Sequence, residues 1–158
     1  MASAESSKLD VKSGAEVTHE GRAVVALTGT YAFRFSGYAM PSNRPYYLAG
    51  LGRFQIDANG NLSGKHRSAI MPIQGMEAKL TTGFYDLNGT IEVGPDGSGQ
   101  ASILFTRTGG TGSGLNVKGD FHVQVAEKQM WLVSAGGIVP ETGARAEELV
   151  NLEAIRLA

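Results

Sequence analysis

The chain has 158 residues, a length suited to one domain that buries roughly 70% of its extended-chain surface without covalent staples. It contains no cysteine, which excludes disulfides and thiolate metal sites, and 14 Lys and Arg against 15 Asp and Glu leave a net charge of -1, giving no electrostatic reason to expect nucleic acid. The opening MASAESSKLDVKSGAEVTHEG lacks the apolar core of a signal peptide, and no run of about 18 apolar residues is present, so the expectation is a soluble, cytoplasmic protein without membrane insertion.

Residues 1–20 read as a flexible N-terminal tail and 21–158 as a single domain. The first strand lies within RAVVALTGTYAFRFSGY, where Tyr31, Phe33 and Phe35 alternate against Thr30, Arg34 and Ser36. The next two strands fold about DANGN. An Asn59-Gly60 two-residue turn mismatches the apolar positions, whereas a type I turn at Ala58-Asn59 with Gly60 as a left-handed bulge residue pairs Ile56 with Leu62, Phe54 with Gly64, and Leu48 with Ile70. That register sets His66 opposite Gly52 on the apolar side and turns Arg53, Gln55, Lys65 and Arg67 outward.

GTIEVGPDGSGQASILFTR repeats the grammar, with Pro95-Asp96 as the turn and Gly97 as the bulge residue. Ile91 then pairs with Ala101, Leu87 with Phe105, and Tyr85 with Arg107. A third hairpin, FHVQVAEKQMWLVS, turns at Glu127-Lys128 and puts Phe121, Val123, Val125, Met130 and Leu132 on one face; the outward Trp131 and Val133 offer a patch for a second copy of the chain, a homo-oligomer. ETGARAEELV can form a short helix before a last strand in ELVNLEAIRL. Glycine, at 22 residues, is about twice as common as the usual share of around 7%, and many sharp turns are expected from it.

About eight antiparallel strands in sequence, each with one apolar face, close most simply as an all-β, up-and-down antiparallel barrel, with a two-sheet sandwich as the alternative. The connections DANGN, GPDGS and AEKQ fall at one end and read as a closed floor. PSNRP, MPIQG, TGGTGSG and GGIVPETG fall at the other and read as a mouth. With each strand residue climbing on the order of 2.5 Å along a tilted barrel, His66 stands mid-cavity and Arg107 near the rim.

On this layout, with Gly29-Thr30-Tyr31 opening the first strand and Arg156 on the last, the chain resembles the calycin superfamily over residues 22–158. Its lipocalin-like barrels hold small apolar molecules in a cup, and a basic residue from the last strand packs over a Gly-x-Trp at the closed end; tyrosine stands in the tryptophan position here. The outline is also similar to allene oxide cyclase-like barrels, which cyclise a substrate in an apolar cavity without a cofactor.

Three residues carry candidate chemistry. His66 is a candidate general base, Arg107 and Tyr85 a candidate pair for a developing oxyanion. The bland alternatives are a core histidine bonded to a backbone carbonyl, and an arginine that snorkels over the rim or pairs with Glu77. The ligand wall expected from parity comprises Tyr31, Phe33, Phe35, Tyr46, Leu48, Phe54, Leu87, Ile103, Phe105, Phe121, Met130 and Leu132. GGTGSG leads into a strand and lacks a following Lys-Ser or Lys-Thr, so it is not a phosphate loop; the three histidines have no metal-ligand spacing, and there is no GxSxG elbow. No cofactor and no metal are expected.

These features imply a barrel that binds a small, mostly apolar organic molecule and acts on it as a cofactor-free isomerase, cyclase, hydratase or lyase. The alternatives are a non-catalytic lipocalin-like carrier or sensor of a hydrophobic molecule, and a filled barrel serving assembly.

Overall fold

Hairpin-forming turns at regular intervals leave the chain one antiparallel path, and a computed structural model, which describes residues 27–40, 45–73, 79–112 and 114–158, shows that path closing on itself. The strands are β1 (Gly29–Ala39), β2 (Tyr46–Ile56), β3 (Asn61–Pro72), β4 (Thr81–Val93), β5 (Ser98–Gly110), β6 (Val117–Ala126), β7 (Gln129–Ile138) and β8 (Glu148–Arg156). Each pairs with its sequence neighbour, and β8 returns to β1, giving an eight-stranded up-and-down barrel. The sandwich is thereby excluded. The expected tail at 1–20 and Glu77 lie outside the described residues.

The registers follow the turns. Ile56 pairs with Leu62, Phe54 with Gly64, Gly52 with His66 and Leu48 with Ile70. Gly60 holds φ at 79° and Gly97 at 82°, the left-handed conformation that the bulge residue of each turn requires. Asp57 fixes the first turn by accepting the Asn59 and Asn61 backbone N–H groups on Oδ1 at 2.8 and 2.9 Å, and Asp96 accepts from Ser98 in the same way. Glu127 turns the third hairpin at φ 53°, a strained setting for a side-chain-bearing residue.

β4 pairs with β5 as expected, Tyr85 opposite Arg107, up to a bulge at Thr108. A second irregularity leaves Ala135 unpaired between Gly136 and Ser134 on β7. The short helix expected in ETGARAEELV is not formed. Gly143, at φ 67°, donates its N–H to the Val139 carbonyl at 2.8 Å, Arg145 bridges Ile138, and the chain enters β8 at Glu148; sheet closure claims the backbone donors that a helix would need.

The glycine surplus belongs largely to the wall rather than to turns. Across β1, β2 and β3 the inward rows read Phe33–Gly52–His66 and Phe35–Gly50–Ser68, and across β3, β4 and β5 one row reads Leu62–Gly89–Ile103. Gly50 and Gly52 each face a ring that lies over them, and Gly89 lies tight against the β5 backbone. A Cβ at Gly52 would stand 2.8 Å from both the His66 Cβ and the Phe33 Cζ.

The floor half of the barrel is solid. Leu27, Tyr31, Phe33, Phe54, Leu62, Leu87, Ile103, Met130 and Leu132 are all 5% exposed or less and belong to one core cluster. Tyr31 donates its hydroxyl to the Leu27 carbonyl at 2.9 Å, so Leu27 stops the floor like a plug. Arg156 is the cross-strand partner of Tyr31, and its Nε lies against Gly29, placing the basic group of the last strand over the start of the first. Trp131 and Val133 point outward, at 37% and 38% exposure.

Gly52→Ala is expected to cost about 2 kcal/mol or more in urea unfolding, because neither ring row nor backbone can yield. Glu127→Gly is expected to raise stability by a few tenths to about 1 kcal/mol by relieving the left-handed residue.

Candidate functional site

Above the solid half the barrel is hollow, with a cavity of about 840 Å³. Its lower wall is aromatic: Phe35, His66, Tyr85, Phe105 and Phe121 line it together. The His66 imidazole stacks on the Tyr85 ring at 4.7 Å between centroids and meets Phe35 and Phe105 edge-on at 5.0 and 5.5 Å. Tyr46 and Leu48 line the cavity higher on β2, and Glu148, Val150 and Leu152 line it on β8.

The expected ligand wall therefore divides. Phe35, Tyr46, Leu48, Phe105 and Phe121, with His66 and Tyr85, border the cavity. Tyr31, Phe33, Phe54, Leu87, Ile103, Met130 and Leu132 are packed in the solid half beneath it. All share the inward parity, but height decides which of them border empty space.

His66 is 7% exposed, and its Nδ1 is sealed without a hydrogen-bond partner among the described residues. Burial lowers its pKa from 6.5 to about 4, opposed weakly by the nearby Arg67 backbone, so the imidazole is neutral at physiological pH. This alters the chemistry expected of it. A base so weak is better suited to hydrogen bonding than to holding a proton at neutral pH.

Tyr85 is buried beside it, and burial raises its phenol pKa, with Arg107 acting to lower it and Glu148 to raise it. Its hydroxyl has no hydrogen bond among the described residues. Arg107 shares the face of Tyr85 at the rim, as expected, but its two terminal guanidinium nitrogens are engaged, while its buried Nε makes no hydrogen bond among the described residues. Nη1 donates to the Gly112 carbonyl at 2.9 Å, and Nη2 donates to the carbonyls of Thr111 and Thr82 at 3.0 and 3.2 Å. The Arg107 backbone N–H donates to Asn116 Oδ1 at 2.8 Å, and Asn116 donates in turn to Glu141 at 2.6 Å. Arg107 thus clasps the β5–β6 connection to the top of β4. A Cβ at Gly114 would lie 2.8 Å from its Nε and 3.1 Å from the Tyr85 hydroxyl, so clasp and phenol border the same glycine.

Glu148 and Ser68 are the site residues that the sequence reading passed over. Alternation in ELVNLEAIRL gives Glu148 the parity of Val150, Leu152 and Ala154, and alternation in β3 gives Ser68 the parity of His66; both signals were present. The Ser68 Oγ is sealed without a hydrogen-bond partner among the described residues. Glu148 lines the cavity with no hydrogen bond or ion pair among the described residues, and burial alone raises its pKa from 4.5 to about 7. It is the group in this cavity best matched to proton exchange near neutrality.

A separate depression of about 390 Å³ lies on the convex side among Thr90, Glu92, Gln100, Ser102, Asp120 and His122, and holds none of the candidate catalytic residues. Among the described residues no group of three or more His, Cys, Asp or Glu could hold a metal ion.

Comparison of the chain with protein-family models, with curated proteins and with solved structures finds no match in any of the three. The closed eight-stranded meander is consistent with a calycin-like barrel without being specific to one.

The two shifted groups pull stability in opposite directions with pH. The folded state sheds the His66 proton more readily than the unfolded chain, so His66 contributes stability that is complete above about pH 6.5 and is lost as pH falls towards about 4. Glu148 holds its proton more tightly when folded, so its contribution is complete below about pH 4.5 and is lost as pH rises through about 7. Glu148→Gln is therefore expected to match the native protein at about pH 4.5 and to exceed it above about pH 7, by on the order of 2–3 kcal/mol in urea unfolding.

Proposed function

We propose that this protein binds a small, mostly apolar organic molecule in the upper half of a calycin-like barrel and acts on it as a cofactor-free isomerase or cyclase. The observation that carries the reading is the hollow itself: about 840 Å³ above a solid floor, walled by rings and bearing a few polar groups that make no hydrogen bond among the described residues. Burying such groups costs free energy unless something satisfies them, and a bound molecule is the natural satisfier.

In this reading the wall sets the conformation of the substrate, which is how a cavity lowers the barrier of a cyclisation or a shift of a double bond. The neutral His66 imidazole and the Tyr85 hydroxyl hydrogen-bond a developing oxyanion, and a proton is exchanged with Glu148, whose pKa near neutrality suits it to give and take one. Arg107 acts through the rim connection it clasps. Hydration and elimination use the same parts with water as reactant or product.

A second reading, a carrier that releases its ligand unaltered, is favoured by the engagement of the Arg107 guanidinium with backbone carbonyls, which removes one cation from direct contact with a substrate.

Organic extraction of the purified protein, with mass spectrometry before and after incubation with the extracted compound, tests the proposal. Binding is expected as a stoichiometric small molecule. Catalysis is expected as an isomer of unchanged mass and altered retention, formed more slowly by roughly a hundredfold in Glu148→Gln and by tenfold or more in His66→Ala. Recovery of the compound unaltered would leave the carrier reading. An empty extract, together with no fluorescence gain from the hydrocarbon probe diphenylhexatriene, would reject both.

A further inference from the structure

A carboxyl group set into a largely apolar wall with no hydrogen bond or ion pair among the described residues needs an explanation. Glu148 opens β8 on the inward face and lines the cavity above Val150 and Leu152. Its row across the barrel passes through Ala39 to Tyr46, so an aromatic ring stands two strands away. Below it, neither of the nearby titratable side chains supplies a charge: His66 is buried and neutral, and Tyr85 is a buried phenol. Two cations near the mouth, among the described residues, are differently placed. Arg107 is committed to three carbonyls, and Lys79, which lines the rim, is exposed and makes no ion pair with Glu148.

Three ligand chemistries can be weighed against this arrangement. A carboxylate would bring a second negative charge to an unpaired acid. A neutral alcohol or ketone would satisfy a hydrogen bond but leave the carboxyl to stay protonated. A protonated amine would let it ionise against a matched charge, in a site where the flanking aromatic faces attract cations as well. Below Glu148 the inward residues of β8 are Val150 and Leu152 and those of the floor are largely rings, so the remainder of such a molecule meets mostly apolar surface.

Building on the binding reading above, we propose that the ligand is an amphipathic amine, its cationic nitrogen held by Glu148 beneath the mouth and its apolar body lowered onto the aromatic belt of Phe35, Tyr85 and Phe105.

Displacement of diphenylhexatriene by a matched series, decylamine, decanol and decanoate, tests this at about pH 8, where an alkylamine keeps its proton as lysine does. The expected result is that decylamine competes at least about tenfold better than decanol, with decanoate the weakest, and that Glu148→Gln erases the margin of the amine over the alcohol. Equal competition by amine and alcohol on the native protein would overturn the proposal. So would a preference for decanoate, which would assign the head group to Lys79 or Arg107. Either result leaves the binding reading standing, since diphenylhexatriene itself reports the apolar hollow. Failure of that hydrocarbon to bind the native protein would instead remove the hollow on which both readings rest, and this inference with it.

Discussion

The interior of an eight-stranded barrel is only just wide enough for side chains to fill, so no inward row can carry large residues on adjacent strands all the way round. This chain meets the constraint by placing a glycine beside each ring. Phe33 and His66 share the space over Gly52, and Phe35 lies over Gly50. The same device aligns the aromatic belt, because a ring that lies flat over a glycine presents its edge or face to the next strand. The stacking of His66 on Tyr85 and its edge contacts with Phe35 and Phe105 follow from where the glycines sit. The position of the imidazole is therefore a property of β2 as much as of β3.

That packing runs out at the level of Phe35 and Phe105, and the barrel changes character there. Below it, aliphatic residues from seven strands and Leu27 interdigitate around Tyr31 and Phe54. Above it, the inward residues are shorter or polar, such as Ser68, Ala39 and Val150, and they do not reach across. The polar groups left at this boundary make no side-chain ion pair among the described residues, and burial drives each titratable one towards its uncharged form: the imidazole loses its proton more readily, and the carboxyl of Glu148 holds on to its own.

Much of the wall was legible in the sequence. DANGN and GPDGS state their turn types, and the requirement that apolar positions face each other then sets every pair from Leu48–Ile70 to Tyr85–Arg107. Parity, however, says in or out and nothing about height. Met130 and Phe105 are equivalent by alternation, yet one is fully buried in the solid half and the other borders the hollow, a difference set by the sizes of residues on strands distant in sequence. The glycines misled for the same reason, since a residue needed by a ring across the barrel looks locally like a turn former. Glu148 was missed because it belongs both to ETGARAEELV, a helix-favouring run, and to the last strand ELVNLEAIRL, where its inward parity was not followed; pairing with β1 makes it the first residue of that strand.

The solid floor has a bearing on how this protein could change over generations. Because cohesion is concentrated in one end of the molecule, the residues around the hollow carry little of the burden of keeping the chain folded, and substitutions there are free to alter what is recognised. A barrel filled evenly from end to end would have no such latitude: every exchange of a lining side chain would be felt as a defect in its core.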